Sequence, residues 1–440
     1  MVLARYGDST DPKDAELLGE SIVMPFSGKV AKTRFLKTAL AERMSSWDQY
    51  DTSKRGIPSD SYIRLYEEWG KGGWGMIITG NVAVHPDYVV GAGDAVLYAP
   101  NETKEHIEQF RKAAAAGKAH GSLMLMQISH AGRQVPITIN PHPLGASDIQ
   151  LGHGMDSKHG KPTALSIEGI KEIVHQFAHV AEVAYQTGYD GVQVHGAHGF
   201  LVSQFLSAST NNRTDEYGGS NHNRARFLRE IVTAIRDRVS NPRFMIGVKI
   251  NSTEFQANTA NPADAAELCK ELEEMKVDFV ELTGGSSEKW AGTNYIPRAS
   301  TKRRESFFTE FAEAILPQLN KIVPYVTGGF RSAAGMADAV RAGSCVGIGL
   351  GQPATSDPYL PNEVLSGRVP GATVNRLPPG SYYLQVAASG SQEESIARGI
   401  PIFDLSDQGV ADEYIRAYEK LLSTSSEKGL VNAGYMVMQT

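Results

Sequence analysis

The stretch Ile322–Gln352, IVPYVTGGFRSAAGMADAVRAGSCVGIGLGQ, decides the fold. Its first apolar run, Ile322–Thr327, has the length of a buried strand and stops at Gly328-Gly329. Ser332–Ala342 carries a helical pattern. A second apolar run, Cys345–Leu350, stops at Gly351. Strand, helix and strand in this order form a parallel crossover unit. Glycine lets the backbone approach an anion closely. Gly328, Gly329, Phe330 and Arg331 after the first strand, with Gly351 and Gln352 after the second, therefore form a candidate phosphate site. A helix starting at Ser332 adds a favourable dipole. Ordinary turn glycines are the competing explanation for either pair alone.

The same unit recurs toward the N-terminus. Strands are expected at Arg34–Leu40, Trp74–Val84, His120–Ile128, Val192–Val194, Phe244–Ile250 and Val277–Thr283. The helices that follow them are expected at Ser59–Trp69, Glu102–Ala119, Ile167–Thr187, Asn221–Val239, Pro262–Met275 and Glu305–Leu319, and a last helix near Asp357. Eight alternations make an α/β protein, a (β/α)8 TIM barrel. An open doubly wound sheet would place its glycine-rich phosphate turn after an early strand, whereas here the glycine pairs follow strands seven and eight.

Three regions result: a polar, turn-rich lead-in over 1–30, the barrel over 31–366, and an extension over 367–440 that serves as a lid or as a subunit contact. The 440 residues are 41% hydrophobic and 21% charged, as in soluble globular proteins. A net charge of −6 argues against nucleic acid as a partner. No apolar run is long enough to span a bilayer, and the N-terminus lacks the apolar core of a signal peptide, so a cytoplasmic location is expected. Cys269 and Cys345, far apart in sequence, are expected to be reduced core residues. A homo-oligomer is compatible with all of this.

Candidate chemistry sits at strand ends. His195 and His198 close the fourth strand, separated by Gly196 and Ala197, which add no bulk. They are satisfied loop histidines, a metal pair, or two donors for a substrate oxygen. No third ligand lies at a recognisable zinc spacing, which disfavours a metal. Lys249 interrupts the apolar strand FMIGVKI. It snorkels outward, stands beside an electron-rich cofactor, or acts as a Schiff-base amine. Gln127 ends the third strand, where an amide suits the edge of a pyrimidine-like ring.

Several segments together resemble the Old Yellow Enzyme family of FMN-dependent NAD(P)H:flavin oxidoreductases. They are HGAHGF at 195–200, RTDEYGGS at 213–220, NRARFLRE at 223–230, HAGR at 130–133, IITGN at 77–81 and TGGFR at 327–331. The likeness runs from Arg34 to Pro358, and the wording IRLY…GGWGMIITGN is most like the longer fungal members. The resemblance implies FMN over the strand ends, reduced by NADPH or NADH, with an activated alkene as substrate. Ala39 and Leu40 would touch the flavin through their backbone, Asn81 would lie near the ring and Gln127 would bond its pyrimidine edge. Lys249 would stand by flavin N1 and O2. His195 and His198 would bind the substrate's oxygen.

Three positions depart from the family. Ala41 replaces a Thr or Cys that bonds flavin O4. Phe200 replaces a Tyr that protonates the substrate's α-carbon. Gln352 replaces an Arg at the phosphate, a charge that Arg331 would supply. Other readings keep their place: a flavin-dependent oxidase or dehydrogenase, a flavin-free lyase using Lys249, and a flavin-binding protein impaired by the loss of its Tyr.

Overall fold

The computed structural model describes residues 3–152, 158–251, 262–285, 312–313, 315–428 and 434–438. Eight parallel strands close on themselves: β1 Phe35–Lys37, β2 Met76–Ala83, β3 Leu123–Ser129, β4 Gly191–Gly196, β5 Met245–Asn251, β6 Phe279–Thr283, β7 Val323–Thr327 and β8 Gly347–Leu350. Pairing of β8 with β1 and of β1 with β2 seals the ring. This is the expected (β/α)8 barrel. The fourth strand runs two residues past the expected Val194 and takes in His195 itself.

The interior of the ring is apolar at its lower end. Leu36, Met76, Ile78, Leu125, Met245, Phe279 and Tyr325 form one buried cluster. Two glycines make room for the large rings. A Cβ on Gly247 would sit 2.1 Å from the Phe279 ring, and one on Gly347 2.1 Å from Tyr325. The lead-in closes this end. It contains helix α1, Pro12–Gly19, and a hairpin pairing Ile22–Val23 with Val30–Ala31. Ile22, Met24 and Ala31 join the interior cluster, and the N–H groups of Phe26 and Ser27 donate to Asp278. A two-residue strand is too short to show periodicity, so the sequence shows only turns here.

Outside the ring lie α2 Asp60–Lys71, α3 Lys104–Lys118, α4 Ile167–Gln186, α5 Leu201–Leu206, α6 Asn221–Arg238, α7 Pro262–Glu274, α8 Ala333–Arg341, α9 Gln352–Ser356 and α10 Leu360–Leu365. In α2, Tyr62, Leu65, Tyr66 and Trp69 recur at helical spacing and are buried against the barrel. Each contributes on the order of 2 kcal/mol by leaving water. Helix α3 starts two residues later than expected. Residues Ala99–Asn101 form a 3-10 turn, and Thr103 caps the helix by accepting the N–H of His106. The helix expected at Glu305–Leu319 lies mostly outside the described residues, and Leu316–Gln318 is a 3-10 turn. Cys269 and Cys345 are buried and unpaired.

The extension adds α11, Tyr382–Arg398, and α12, Gln408–Lys428. Helix α11 has no sequence signature, because its buried face is polar. Ser389, Ser391, Gln392, Glu393, Glu394 and Ser395 are all buried where it packs on α2 and α9. Among the described residues no helix is long and apolar enough to cross a membrane.

Candidate active site

At the upper end of the barrel the apolar interior gives way to a polar layer. Strand register brings it about: Lys249 on β5 pairs in register with Glu281 on β6 and with His195 on β4. Lys249 points inward, and its Nζ lies 2.9 Å from Glu281 Oε1 and 2.9 Å from Thr38 Oγ1. Thr38 also donates to Glu281, Thr327 Oγ1 donates to it at 2.6 Å, and Gln193 donates to its other oxygen at 2.7 Å. Gln127 Nε2 donates to Gln193 Oε1 at 2.7 Å. Burial alone would push the Glu281 carboxyl up. The Lys249 charge and the donors Thr327, Thr38 and Gln193 hold it below its ordinary value instead.

Beside this layer, β2 carries an irregularity in register between Ile78 and Asn81. Thr79 Oγ1 accepts the N–H of Gln127 at 2.9 Å, and Glu42 accepts that of Gly80 at 2.7 Å, with Tyr66 bonded to the same carboxylate. The groups the bulge frees are thus satisfied by side chains. Gly80 is required by close approach, since a Cβ there would lie 2.0 Å from Leu40 O. The loop carrying Ala39 and Leu40 therefore rests directly on the bulge. The bulge turns out Asn81, whose buried Oδ1 meets no hydrogen-bond partner among the described residues.

His195 and His198 stand on the next side of the mouth. Their rings are perpendicular, with centroids 5.2 Å apart. His195 Nδ1 accepts the N–H of Ala197 at 3.3 Å, which assigns the ring proton to Nε2. His198 has a left-handed backbone, φ +58°, and its Nε2 lies 3.3 Å from Thr283 Oγ1. Gln134 donates to His198 O and Gln204 to Gly199 O, which fixes this turn. Burial draws both imidazoles below their ordinary value and Lys249 adds to it, His198 reaching about 3, so both are neutral. Phe200 lies face-on against His195 at 4.2 Å and 27°.

At the far rim, Gly328 and Gly329 have φ of +129° and +94°, a region that favours glycine. No acceptor among the described residues meets the N–H of Gly329, Phe330 or Gln352. Phe330 directs its ring into the core, so only its backbone faces the rim. Arg331 Nη2 donates to Gln352 Oε1 at 3.1 Å, and Gln352 Nε2 donates to Gln385 on α11 at 2.8 Å. The first N–H of α8 is taken by Pro370 O and that of Gly335 by Ser332 Oγ. Two N–H groups in the first turn of α8 are thus occupied, while those of the Gly329-Phe330 turn stay open. Gly351 sits close to β1, since a Cβ on it would be 3.4 Å from Thr38 and from Leu40.

These features fit a flavin mononucleotide. Unpaired N–H donors beside a guanidinium suit its phosphate, and an orphaned amide oxygen with Gln127 and Lys249 suits the polar edge of its ring. The structure brings every candidate from the sequence to this one end of the barrel. It also adds Glu281, Gln193, Thr38 and Thr327, which sequence reasoning passed over. A charged residue inside an apolar strand was the available signal. It drew attention to Lys249 in FMIGVKI and applies equally to Glu281 in FVELT. The RTDEYGGS segment, by contrast, is structural. Arg213 bonds Asp215 and the carbonyls of Ala146 and Leu165, and Tyr217 donates to Glu230.

The sequence profile of the NADH:flavin oxidoreductase / NADH oxidase family matches residues 34–370. The chain is similar to the NADH-dependent flavin oxidoreductase nadA of Aspergillus parasiticus, 42% identical over 95% of this chain and 93% of that one. It is 28% identical, over 74% of this chain and 86% of the other, to a probable flavin mononucleotide-dependent alkene reductase of Leishmania infantum. Among solved structures, 2-naphthoyl-CoA reductase superposes with a TM-score of 0.72 at 23% identity, a likeness of fold. The match covers 92% of this chain, which spans 59% of the reductase's length.

Proposed function

Since this chain belongs to the NADH:flavin oxidoreductase / NADH oxidase family, that of the Old Yellow Enzymes, we propose that it is an ene-reductase acting on α,β-unsaturated carbonyl or nitro compounds. The family is FMN-dependent and draws hydride from NADH or NADPH. FMN held at the barrel mouth would supply the hydride chemistry between the nicotinamide and the substrate's β-carbon. The observation that carries the reading is the pair of neutral imidazoles, with the His195 proton held on Nε2 by the Ala197 N–H. A neutral donor binds a carbonyl or nitro oxygen weakly in the ground state. Its hydrogen bond strengthens as hydride addition drives negative charge onto that oxygen, so the gain falls on the transition state.

The remaining residues would hold the cofactor. Gly329, Phe330 and Gln352 would give backbone donors to its phosphate, and Arg331 the charge that Gln352 lacks. Asn81 and Gln127 would serve the ring's polar edge, Ala39 and Leu40 its support, and Lys249 would offset negative charge there. Phe200 carries no proton. The α-carbon's proton therefore comes from water or from another side chain.

Replacing His195 and His198 together by Ala tests the reading. Enone turnover should fall by about 10²–10³ or more while FMN stays bound, as for the loss of oxyanion donors. Unchanged turnover would reject it. Phe200 favours a second reading, a flavin-dependent dehydrogenase or oxidase that needs no such proton. Its substrate would bleach the flavin anaerobically without nicotinamide, and Phe200→Tyr would leave enone turnover unimproved.

A further inference from the structure

The extension reaches the candidate flavin site at two points, through helix α11 and through the tail that rests on it. At one end of α11, Gln385 accepts from Gln352 at the phosphate rim, 2.8 Å away. Eight residues on, about 12 Å along the helix axis, is Glu393, fully enclosed and sharing the electrostatic environment of Lys37 and Glu42. Between them Gln392 accepts from Thr355 Oγ1 on α9 at 2.8 Å.

The second contact is made by the tail. The Tyr435 ring lies on Gly390 of α11 so closely that a Cβ there would be 2.3 Å from ring carbons. Glycine is a poor helix former, and its use in mid-helix is explained by this ring. Tyr435 also meets the Arg43 guanidinium, 4.9 Å from the ring centroid. Arg43 has a left-handed backbone, φ +52°, and its carbonyl oxygen is 2.5 Å from where a Cβ on Gly93 would be. Its Nε has no hydrogen-bond partner among the described residues, and the guanidinium lies between the Tyr435 ring and Gly91, where a Cβ would be 2.5 Å from Nε. One residue before it, Glu42 ties the loop to the β2 bulge through the Gly80 N–H. Two and three residues further back stand Leu40 and Ala39.

We propose that Tyr435 and Gly390 are positioning residues for the flavin: the tail ring, seated on α11, clamps Arg43 and thereby sets the 39–43 loop against which the ring system is held. The inference rests on the flavin reading of the site. The extension is then part of the cofactor's wall, contributed by the same chain. Arg43, a bulky residue in a left-handed conformation, keeps that conformation because tail and bulge hold it from both sides.

Titration of apo-protein with FMN, followed by quenching of flavin fluorescence, tests this. Tyr435→Ala and Gly390→Ala should each raise the FMN dissociation constant by about tenfold and shift the bound flavin's absorption maximum and midpoint potential. Tyr435→Phe keeps the ring and should match wild type in all three. Wild-type affinity, spectrum and potential in both Tyr435→Ala and Gly390→Ala would overturn the proposal. So would a weakened affinity that Tyr435→Phe shares, or one accompanied by an unchanged spectrum and potential, since either marks general destabilisation. Failure of the wild-type chain to take up FMN would overturn the flavin reading itself.

Discussion

Replacing Glu281 should expose how the barrel tolerates a buried ammonium. Glu281 and Lys249 are both almost fully buried and 2.9 Å apart, and three further donors converge on the same carboxylate. In Glu281→Gln the shape survives, but the buried Lys249 charge loses its counter-charge. Breaking a buried pair on one side costs about 3–5 kcal/mol. For 440 residues unfolding as one unit, a melting entropy of roughly 0.9 kcal/mol/K makes 4 kcal/mol a drop of about 4 K. The measurement belongs on apo-protein, where ligand binding adds nothing to stability. Lys249→Met in the Glu281→Gln background removes the stranded charge, so the double variant should cost less than the two singles summed, by about 2 kcal/mol or more. The folded-state carboxyl is held below its ordinary value. The stability it confers is therefore present above the ordinary carboxylate range and is lost as pH falls through the lowered value. The gap between wild type and Glu281→Gln should accordingly narrow on strong acidification. Additive costs in the double variant, or a gap independent of pH, would show that the pair is not what carries the Lys249 charge.

Two further outcomes follow from the same geometry. His195 and His198 are held below the ordinary imidazole value, so the unfolded chain binds protons that the folded chain refuses. Stability should fall as pH drops below about 6.5, while kcat/KM for an enone shows no acid limb near that pH from these residues. A limb there that disappears in His195→Asn would contradict this. Gly80→Ala places a Cβ 2.0 Å from Leu40 O and from the Glu42 carboxylate, so it should destabilise by about 1–3 kcal/mol and lower the FMN content of the purified protein. A melting curve and a flavin-to-protein absorbance ratio matching wild type would refute the close packing of that loop on β2.

The sequence alone determined the barrel and the end of it that carries the site. Strand and helix announce themselves by period, and eight alternations with glycines after the last two leave little choice of topology. His195, Gln127, Lys249 and the rim glycines were legible for the same reason, because each stands at a strand end or breaks an apolar run. Only the tertiary structure decided what faces what. That Glu281 balances Lys249, that Asn81 emerges from a bulge held by Glu42 and Tyr66, and that Tyr435 presses on Arg43 are pairings between residues up to several hundred positions apart. Local propensity carries no information about such contacts. They follow from strand register, and from packing that finds partners for buried polar groups once the ring has closed.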